Sequence, residues 1–204
     1  MKQNYKKPTI IAEIGCNHKG NLKIAKDLIF AAAKAGANVA KFQKRDNRLL
    51  LKDNYFEKHP VPHNSYGNTY GEHREFLEFS IDQHYELYRF CIKNNIQYST
   101  SVWEINSAKQ ITESKINLSF LKIPSACNLD FKMLDYLCRK FKKKIHISLG
   151  MTNNKEIRRI YDFINKRNRL KDIIFYACTS DYPVKFDDVC LLEISNLKKK
   201  YNNK

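Results

Sequence analysis

Short apolar runs recur along the chain, and a stretch with helical periodicity follows each of them. A run of about 5 to 6 residues has the usual length of a β-strand. Apolar residues three and four positions apart, as between these runs, are typical of amphipathic helices. The alternation predicts β-α units with parallel strands and right-handed crossovers, in either an open doubly wound sheet or a (β/α) barrel. The six runs are TIIAEI, NVAKFQ, IQYSTS, LSFLKI, KIHISL and IIFYACT.

Residues typical of helix ends mark the boundaries of several predicted helices. Asn21 is an N-cap residue type ahead of the first helix, and Gly36 suits the position just after it. Ser80 and Gln83 match a capping box at the start of another helix. Further helices are predicted to begin at Asp130, Asn153 and Asp187.

Polar residues gather at the carboxyl ends of nearly all the predicted strands, and this favours the barrel. No turn carries the glycine-rich phosphate loops of open nucleotide-binding sheets. In a (β/α) barrel, the carboxyl ends of all strands surround one site. The polar residues concerned are Glu13, Lys41, Gln43, Ser99, Ser101, Lys122, Ser125, Ser148, Thr179 and Ser180.

Two lysines interrupt apolar runs. Lys41 stands in NVAKFQ and Lys122 in LSFLKI, where an unpaired ammonium group would be costly to desolvate. In a barrel both would lie at the same end, so we expect them to converge on one shared anion. The alternative is that either lysine is structural and paired with Glu13.

One connection, 44–79, is much longer than the others. Loops of more than roughly 12 to 15 residues are uncommon unless they are functional or disordered. This one is rich in Tyr, His and Phe, which favours an ordered segment facing the substrate over the barrel mouth. A surface excursion is the alternative, and His73 within it is either a substrate contact or a solvated residue.

The net charge of +16 raises the question of nucleic-acid binding. Runs of three lysines occur at 142–144 and 198–200, but no helix-turn-helix, RNP or zinc-finger pattern accompanies them. Basic residues on the polar faces or at the ends of helices are the simpler interpretation. Nucleic acid is therefore not an expected partner.

The remaining composition indicates one globular unit in the cytoplasm. Hydrophobic residues make up 43% of the 204 residues, and no run approaches the roughly 18 to 20 apolar residues of a membrane span. The amino terminus lacks the pattern of a secretory signal. The six cysteines form no C-x-x-C pair and the histidines show no metal-ligand spacing, so we expect reduced thiols and no metal site in this chain.

Five segments in order resemble the N-acetylneuraminate (sialic acid) synthase family. They are IIAEIGCNHKGNLKIAKDLIFAAAKAGANVAKFQK, SYGNTYGEHREFLEFS, LKIPSAC, HISLGM and ACTSDYPV, and the resemblance extends from Ile10 to about Leu197. It implies a (β/α)8 TIM-type barrel that condenses phosphoenolpyruvate (PEP) with N-acetylmannosamine or a relative. It also implies a divalent metal, Mn or Mg, and a homodimer in which a small antifreeze-like domain reaches into the partner.

The resemblance assigns roles to particular residues. PEP is expected to be held by Lys41 and Lys122 together with Ser125, Ser148 and Ser180. The amino-sugar is expected to contact Glu13 and Tyr182. Glu13, Lys41 and Lys122 are the expected catalytic groups. For the serines, hydroxyls satisfied within the protein remain the alternative.

Three further candidates are less direct. Asn17 and His18 follow the first strand, where site residues gather, although a helix-entry turn closed by Gly20 would also explain them. Cys127 stands where the family usually has an acidic residue after the serine, which puts the acceptor sugar in question. Alternatively, Cys127 packs inward as a small hydrophobe.

The chain contains about six β-α units, which predicts an incomplete (β/α)8 barrel with 1–204 as a partial barrel domain. The resemblance places two further strands, the metal-binding histidines and the antifreeze-like domain beyond Lys204. Six strands cannot close an eight-stranded barrel, so open edges are expected. Two functions stay open: a synthase that is complete only with those parts, and a non-catalytic basic protein that binds anions or polyanions.

Overall fold

A single parallel sheet organises the fold of this protein. The computed structural model describes residues 7–201. In it, six strands are hydrogen-bonded in chain order from β1 to β6. The strands are β1 (Ile11–Glu13), β2 (Val39–Lys44), β3 (Gln97–Val102), β4 (Phe120–Ile123), β5 (Lys144–Ser148) and β6 (Ile173–Tyr176).

Helices follow the strands in chain order. They are α1 (Leu22–Lys34), α2 (Asn47–Leu51), α3 (Tyr70–Phe76), α4 (Ile81–Lys93), α5 (Ile105–Glu113), α6 (Phe131–Lys140), α7 (Asn154–Asn165) and α8 (Glu193–Tyr201). The predicted caps are confirmed where α1, α4, α6 and α7 begin. The Asn21 side chain accepts from the backbone of Lys23 and Ile24, and Ser80 and Gln83 form the reciprocal bonds of a capping box. No helix in the described part of the chain has the length and apolarity that a membrane span requires.

The two faces of the sheet have opposite chemistry because successive side chains in a strand point to opposite sides. Phe42, Leu121 and Ile147 are fully buried and belong to the core that the sheet forms with the helices. Their neighbours Lys41 and Lys122 point to the other side, into the space that the sheet curves around. The core therefore lies outside the curved sheet, and polar groups line its inside.

The sheet is open. Pairings run from β1 with β2 to β5 with β6, and none joins β6 back to β1 within residues 7–201. Glu13, on the edge strand β1, keeps 57% of its side chain exposed. The structure thus confirms an incomplete (β/α) barrel.

One helix start was predicted wrongly. The last helix begins at Glu193, whereas the region of Asp187 forms a short 3₁₀ turn, Phe186–Asp188. The carbonyl of Asp188 accepts a 3.0 Å hydrogen bond from the Thr179 side chain instead of one from a following helical turn. Asp187, an acidic residue of the N-cap type, therefore belongs to a short turn and does not begin a helix.

The long connection is ordered, as its aromatic content indicated, and contains α2, α3 and two 3₁₀ turns. Thr69 and Glu72 form a capping box for α3 that sequence reasoning missed. Aromatic rings hold the segment together: Tyr66 and Phe76 stack at 4.7 Å, and His73 also lies within this group of rings. None of the described side chains of this segment lines the cavity at the carboxyl ends of the strands, and its substrate-facing role stays a prediction.

Candidate active site

A cavity of about 590 Å³ opens at the carboxyl ends of the strands. Every one of the six strands, or the turn that follows it, contributes to its wall, as the barrel prediction required. Of the predicted site residues, eight line it: Glu13, Asn17, Lys41, Lys122, Ser125, Ser148, Ser180 and Tyr182. His18 and Cys127 do not.

Lys41 is both paired and directed into the cavity. Its Nζ lies 2.6 Å from Oε1 and 2.8 Å from Oε2 of Glu13, and it donates to Ser101 Oγ at 3.0 Å. Only 3% of the Lys41 side chain is exposed. Burial lowers the pKa of Lys41, and the Glu13 carboxylate opposes that shift. The Lys41–Glu13 ion pair that was the alternative explanation is therefore present, and both of its residues also line the cavity.

Lys122 has a different environment. Within residues 7–201 its ammonium makes no hydrogen bond or ion pair and lies 5.7 Å from the centre of the Tyr176 ring. Burial lowers the pKa of Lys122, and the charge of Glu13 opposes this. The positive charge of Lys122 in turn lowers the pKa of Lys41, although burial has the larger effect. Among the described residues that line the cavity, two lysines are accompanied by one carboxylate, that of Glu13, so the charge of the lining is positive.

Gly150 brings two of the predicted serines together. A Cβ atom at Gly150 would lie 2.2 Å from Ser180 Oγ and 2.8 Å from Ser125 Oγ, so only glycine leaves room for both hydroxyls. Sequence reasoning missed this residue, although a glycine directly after a strand is a recognisable sign of close approach.

Ser148 supplies a hydroxyl without a partner. Its side chain is 1% exposed, and its Oγ has no hydrogen-bond partner among the described residues. Leaving a buried hydroxyl unpaired costs about 1 to 3 kcal/mol. Ser148 also lines the cavity, so a ligand oxygen at this point would remove that cost.

His18 does not line the cavity and is packed against neighbouring residues. Its ring stacks on Phe79 at 4.1 Å, and its Nδ1 accepts a 3.1 Å hydrogen bond from the amide of Gly20. Burial lowers the pKa of His18 to about 4, so the ring is neutral. The helix-entry turn, closed by Gly20 at a φ of 67°, explains its position.

Cys127 is also turned away from the cavity. It belongs to the hydrophobic core, and burial raises the pKa of its thiol to about 12. This position fits the alternative of a small core residue. A short 3₁₀ turn, Ser125–Cys127, directs Ser125 to the cavity and Cys127 to the core.

Gln43, Arg45 and Trp103 form a wall that sequence reasoning did not identify as a unit. The Arg45 guanidinium stacks on the Trp103 ring at 4.1 Å and donates to the side-chain oxygen of Gln43. With that oxygen occupied, the Gln43 amide can offer N–H donors to a ligand. Gln43 and Trp103 both line the cavity.

The described residues do not fit the divalent metal that the resemblance implies. No group of three or more His, Cys, Asp and Glu side chains in residues 7–201 could hold a metal ion. The lining carboxylate, Glu13, is engaged by Lys41, and Lys122 adds a second positive charge. Metal ligands supplied from outside this chain stay a prediction.

Comparison with known proteins places the fold and cavity in context. The chain is 36% identical over 195 residues to the N-acetylneuraminate-9-phosphate synthase of Homo sapiens, which covers 93% of this chain and 52% of that one. It is 34% identical over 200 residues to the N,N'-diacetyllegionaminic acid synthase of Campylobacter jejuni, covering 95% of this chain and 58% of that one. The chain spans about half the length of these curated relatives.

A solved structure agrees with this placement. The N-acetylneuraminic acid (sialic acid) synthetase of Leptospira borgpetersenii, crystallised in complex with citrate, superimposes with a TM-score of 0.80 at 25% identity. The alignment covers 96% of this chain and 62% of that one. The NeuB family itself matches residues 28–204. The chain therefore belongs to the NeuB family.

Proposed function

We propose that this chain carries the PEP site of a sialic acid synthase-type enzyme. The complete reaction would condense PEP with N-acetylmannosamine, its 6-phosphate or a related amino-sugar and release phosphate. The observation that carries the proposal is the cavity in which Lys41, Lys122 and the unpartnered Ser148 hydroxyl meet. Family membership and the names of the relatives support it.

The cavity suits a small polyanion with a carboxylate and a phosphate. Lys122 offers its ammonium to phosphate oxygens as a point charge. Ser125 and Ser180, gathered over Gly150, can donate to the remaining phosphate oxygens, and Ser148 can donate to the carboxylate. Lys41 adds positive charge to the cavity wall, although Glu13 neutralises part of it.

The chemistry has two stages. The C3 carbon of PEP attacks the aldehyde carbon of the open-chain sugar, which forms the new C–C bond, moves the C=O π electrons to the aldehyde oxygen and leaves positive charge at C2. The aldehyde oxygen takes up a proton and becomes a hydroxyl group. Water then adds to C2 and loses a proton, and collapse of this intermediate breaks the C2–O bond to phosphate, which releases inorganic phosphate, frees the second water proton and leaves a 2-keto acid. Fixed cations around the phosphate stabilise the charge that the leaving group develops. Glu13, Asn17, Gln43 and Tyr182 also line the cavity, and in this proposal the sugar is assigned to these residues.

The assembly around this site is also a proposal. The resemblance implies a homodimer of the complete protein, with metal ligands and further barrel strands supplied from outside this chain. A cytoplasmic location would accord with PEP as substrate.

The net charge of +16 supports a second candidate, a basic protein that binds polyanions. The last turn of α8 carries Lys198, Lys199 and Lys200, which a polyanion could contact. Such binding would weaken steeply with salt because it releases condensed counterions. A buried site for one small ligand would be less sensitive.

Isothermal titration calorimetry at about 50 mM and 200 mM salt separates the two candidates. The synthase proposal predicts one saturable site for PEP, weaker binding of phosphate or pyruvate alone, and modest loss of PEP affinity at the higher salt. Heparin serves as the polyanion. Tight, steeply salt-dependent heparin binding without saturable PEP binding would overturn the proposal in favour of the second candidate.

A further inference from the structure

An aromatic group lies beside the cavity on the inner face of the sheet. His146 on β5 pairs in register with Lys122 on β4, so their side chains project to the same side. Tyr176 on β6 lines the cavity, and its ring lies beneath the Lys122 ammonium, 5.7 Å from it. Neither His146 nor Tyr176 is among the site residues predicted from the sequence.

The ring of Tyr176 is fixed by a chain of contacts that leads away from the cavity. The Tyr176 hydroxyl and His146 Nδ1 are 2.8 Å apart. The His146 ring in turn stacks on Phe120 at 3.9 Å, with only 7° between the ring planes. Phe120 is buried and lies on the same face of β4 as Lys122, so its ring sets the plane of His146 and, through it, the position of Tyr176.

The protonation states are consistent with this contact. Burial lowers the pKa of His146 to about 4, with the charges of Lys144, Lys122 and Lys41 adding to the shift. Burial raises the pKa of Tyr176 to about 12. A neutral imidazole can therefore accept, at Nδ1, the hydrogen bond that the O–H group of a neutral phenol donates.

The Tyr176 ring face supports the Lys122 ammonium and leaves its hydrogen-bond donors available to a ligand. The Lys41 ammonium is engaged by Glu13 and Ser101. Lys122 rests on a π-face, which attracts its charge without supplying a carboxylate that a ligand would have to displace. The two cavity lysines thus differ in their hydrogen-bond donors: those of Lys41 are engaged by protein groups, whereas those of Lys122 are available to a ligand.

We infer that Tyr176, held by His146, is a positioning residue that keeps the Lys122 ammonium at the cavity with its donors free for an anion. The inference rests on the proposed function for the identity of the anion. The rival explanation is that Tyr176 and His146 only fill space inside the curved sheet. A space-filling role needs volume, whereas a positioning role needs a ring face beneath Lys122.

Nuclear magnetic resonance of the lysine side chains tests the geometry without any ligand. The Tyr176 ring should shift the Lys122 Hε signals upfield, because they lie over its face. Tyr176→Phe keeps the ring and should keep a shift, while Tyr176→Leu should abolish it. Lys122 signals that are the same in wild type and Tyr176→Leu would overturn the inference.

PEP titration tests the consequence. Tyr176→Leu should weaken PEP binding about 3- to 10-fold, in line with a partly desolvated cation–π contact. Tyr176→Phe should restore most of that affinity, and His146→Val should fall between the two. If wild type binds PEP and Tyr176→Leu binds it equally well, the inference fails while the proposed function stands. If wild type does not bind PEP, the proposed function itself fails, and the resonance test still decides the geometry.

Discussion

The Glu13 carboxylate holds Lys41 with both oxygens, at 2.6 and 2.8 Å, although 57% of the Glu13 side chain is exposed and only 3% of that of Lys41. The pair therefore joins an edge strand to the interior of the cavity. A half-exposed carboxylate contributes less than a buried one because water screens it. It still supplies the negative charge that a buried ammonium needs.

Glu13→Gln should destabilise the protein by about 1 kcal/mol, a value between those of exposed and buried pairs. It should also lower the pKa of Lys41 further, since the carboxylate opposes the effect of burial. Urea unfolding monitored by circular dichroism measures the first effect. Glu86→Gln is the matched control, because Glu86 pairs with Lys26 on the surface. Equal losses in the two variants would contradict a special role for the Glu13 pair.

Gly150→Ala should weaken PEP binding about 10-fold, as expected from the loss of a hydrogen bond to a charged ligand. The new Cβ would displace the Ser125 and Ser180 hydroxyls, which sit on short side chains that can rotate away. The fold should therefore survive. Calorimetry with PEP and thermal unfolding together measure the two effects.

Gly36→Ala is the complementary control for Gly150→Ala. Gly36 adopts a φ of 81° with nothing within 4 Å of an added Cβ, so alanine there strains the backbone at the end of α1. We expect lower stability and unchanged PEP affinity. A Gly150→Ala protein that behaves like Gly36→Ala would contradict the role given to Gly150.

Thiol labelling should divide the cysteines by burial. Cys178 and Cys190 are exposed and should react rapidly with an excess of iodoacetamide in the folded protein. Cys91 and Cys127 should react only on unfolding, because burial raises the pKa of each thiol to about 12. Peptide mass spectrometry at successive times measures this. Rapid labelling of Cys127 would show that it faces solvent or the cavity instead of the core.

Stability should decrease as the pH falls below about 6.5, the ordinary pKa of histidine. Burial lowers the pKa of His84 to about 3, so between these values the unfolded chain takes up a proton that the folded chain does not. Each such histidine contributes a slope of up to about 1.4 kcal/mol per pH unit. Urea unfolding at pH 7 and pH 5 measures the loss.

His84→Gln should reduce that slope by the contribution of one group. His63 is exposed and provides the matched variant, His63→Gln, which should leave the slope unchanged. The slope is informative even if His84→Gln lowers stability at both pH values. An identical slope in wild type and His84→Gln would show that His84 is not the group responsible.

Periodicity and strand-end chemistry predicted the fold and most of the cavity because both depend on local pattern. Parallel strands place their carboxyl ends at one edge, so Lys41, Lys122 and the serines could be grouped from the sequence. The sequence could not show that His18 and Cys127 lie outside the cavity lining, because each follows a lining residue and turn geometry decides which neighbour faces inward. Tyr176 could not be assigned, because its importance depends on a hydrogen bond to His146, 30 residues away.

The central claim is that Lys122 contributes to one anion site, and fluorescence of Trp103 tests it most directly. Trp103 is the chain's one tryptophan, and it lines the cavity. PEP should change its emission saturably. Lys122→Gln should weaken that binding about 10-fold or more, since a charge-assisted hydrogen bond is worth about 1.5 to 3 kcal/mol. Lys155→Gln, which removes an exposed lysine on α7, should bind as wild type does. Equal PEP affinity in wild type, Lys122→Gln and Lys155→Gln would contradict the claim.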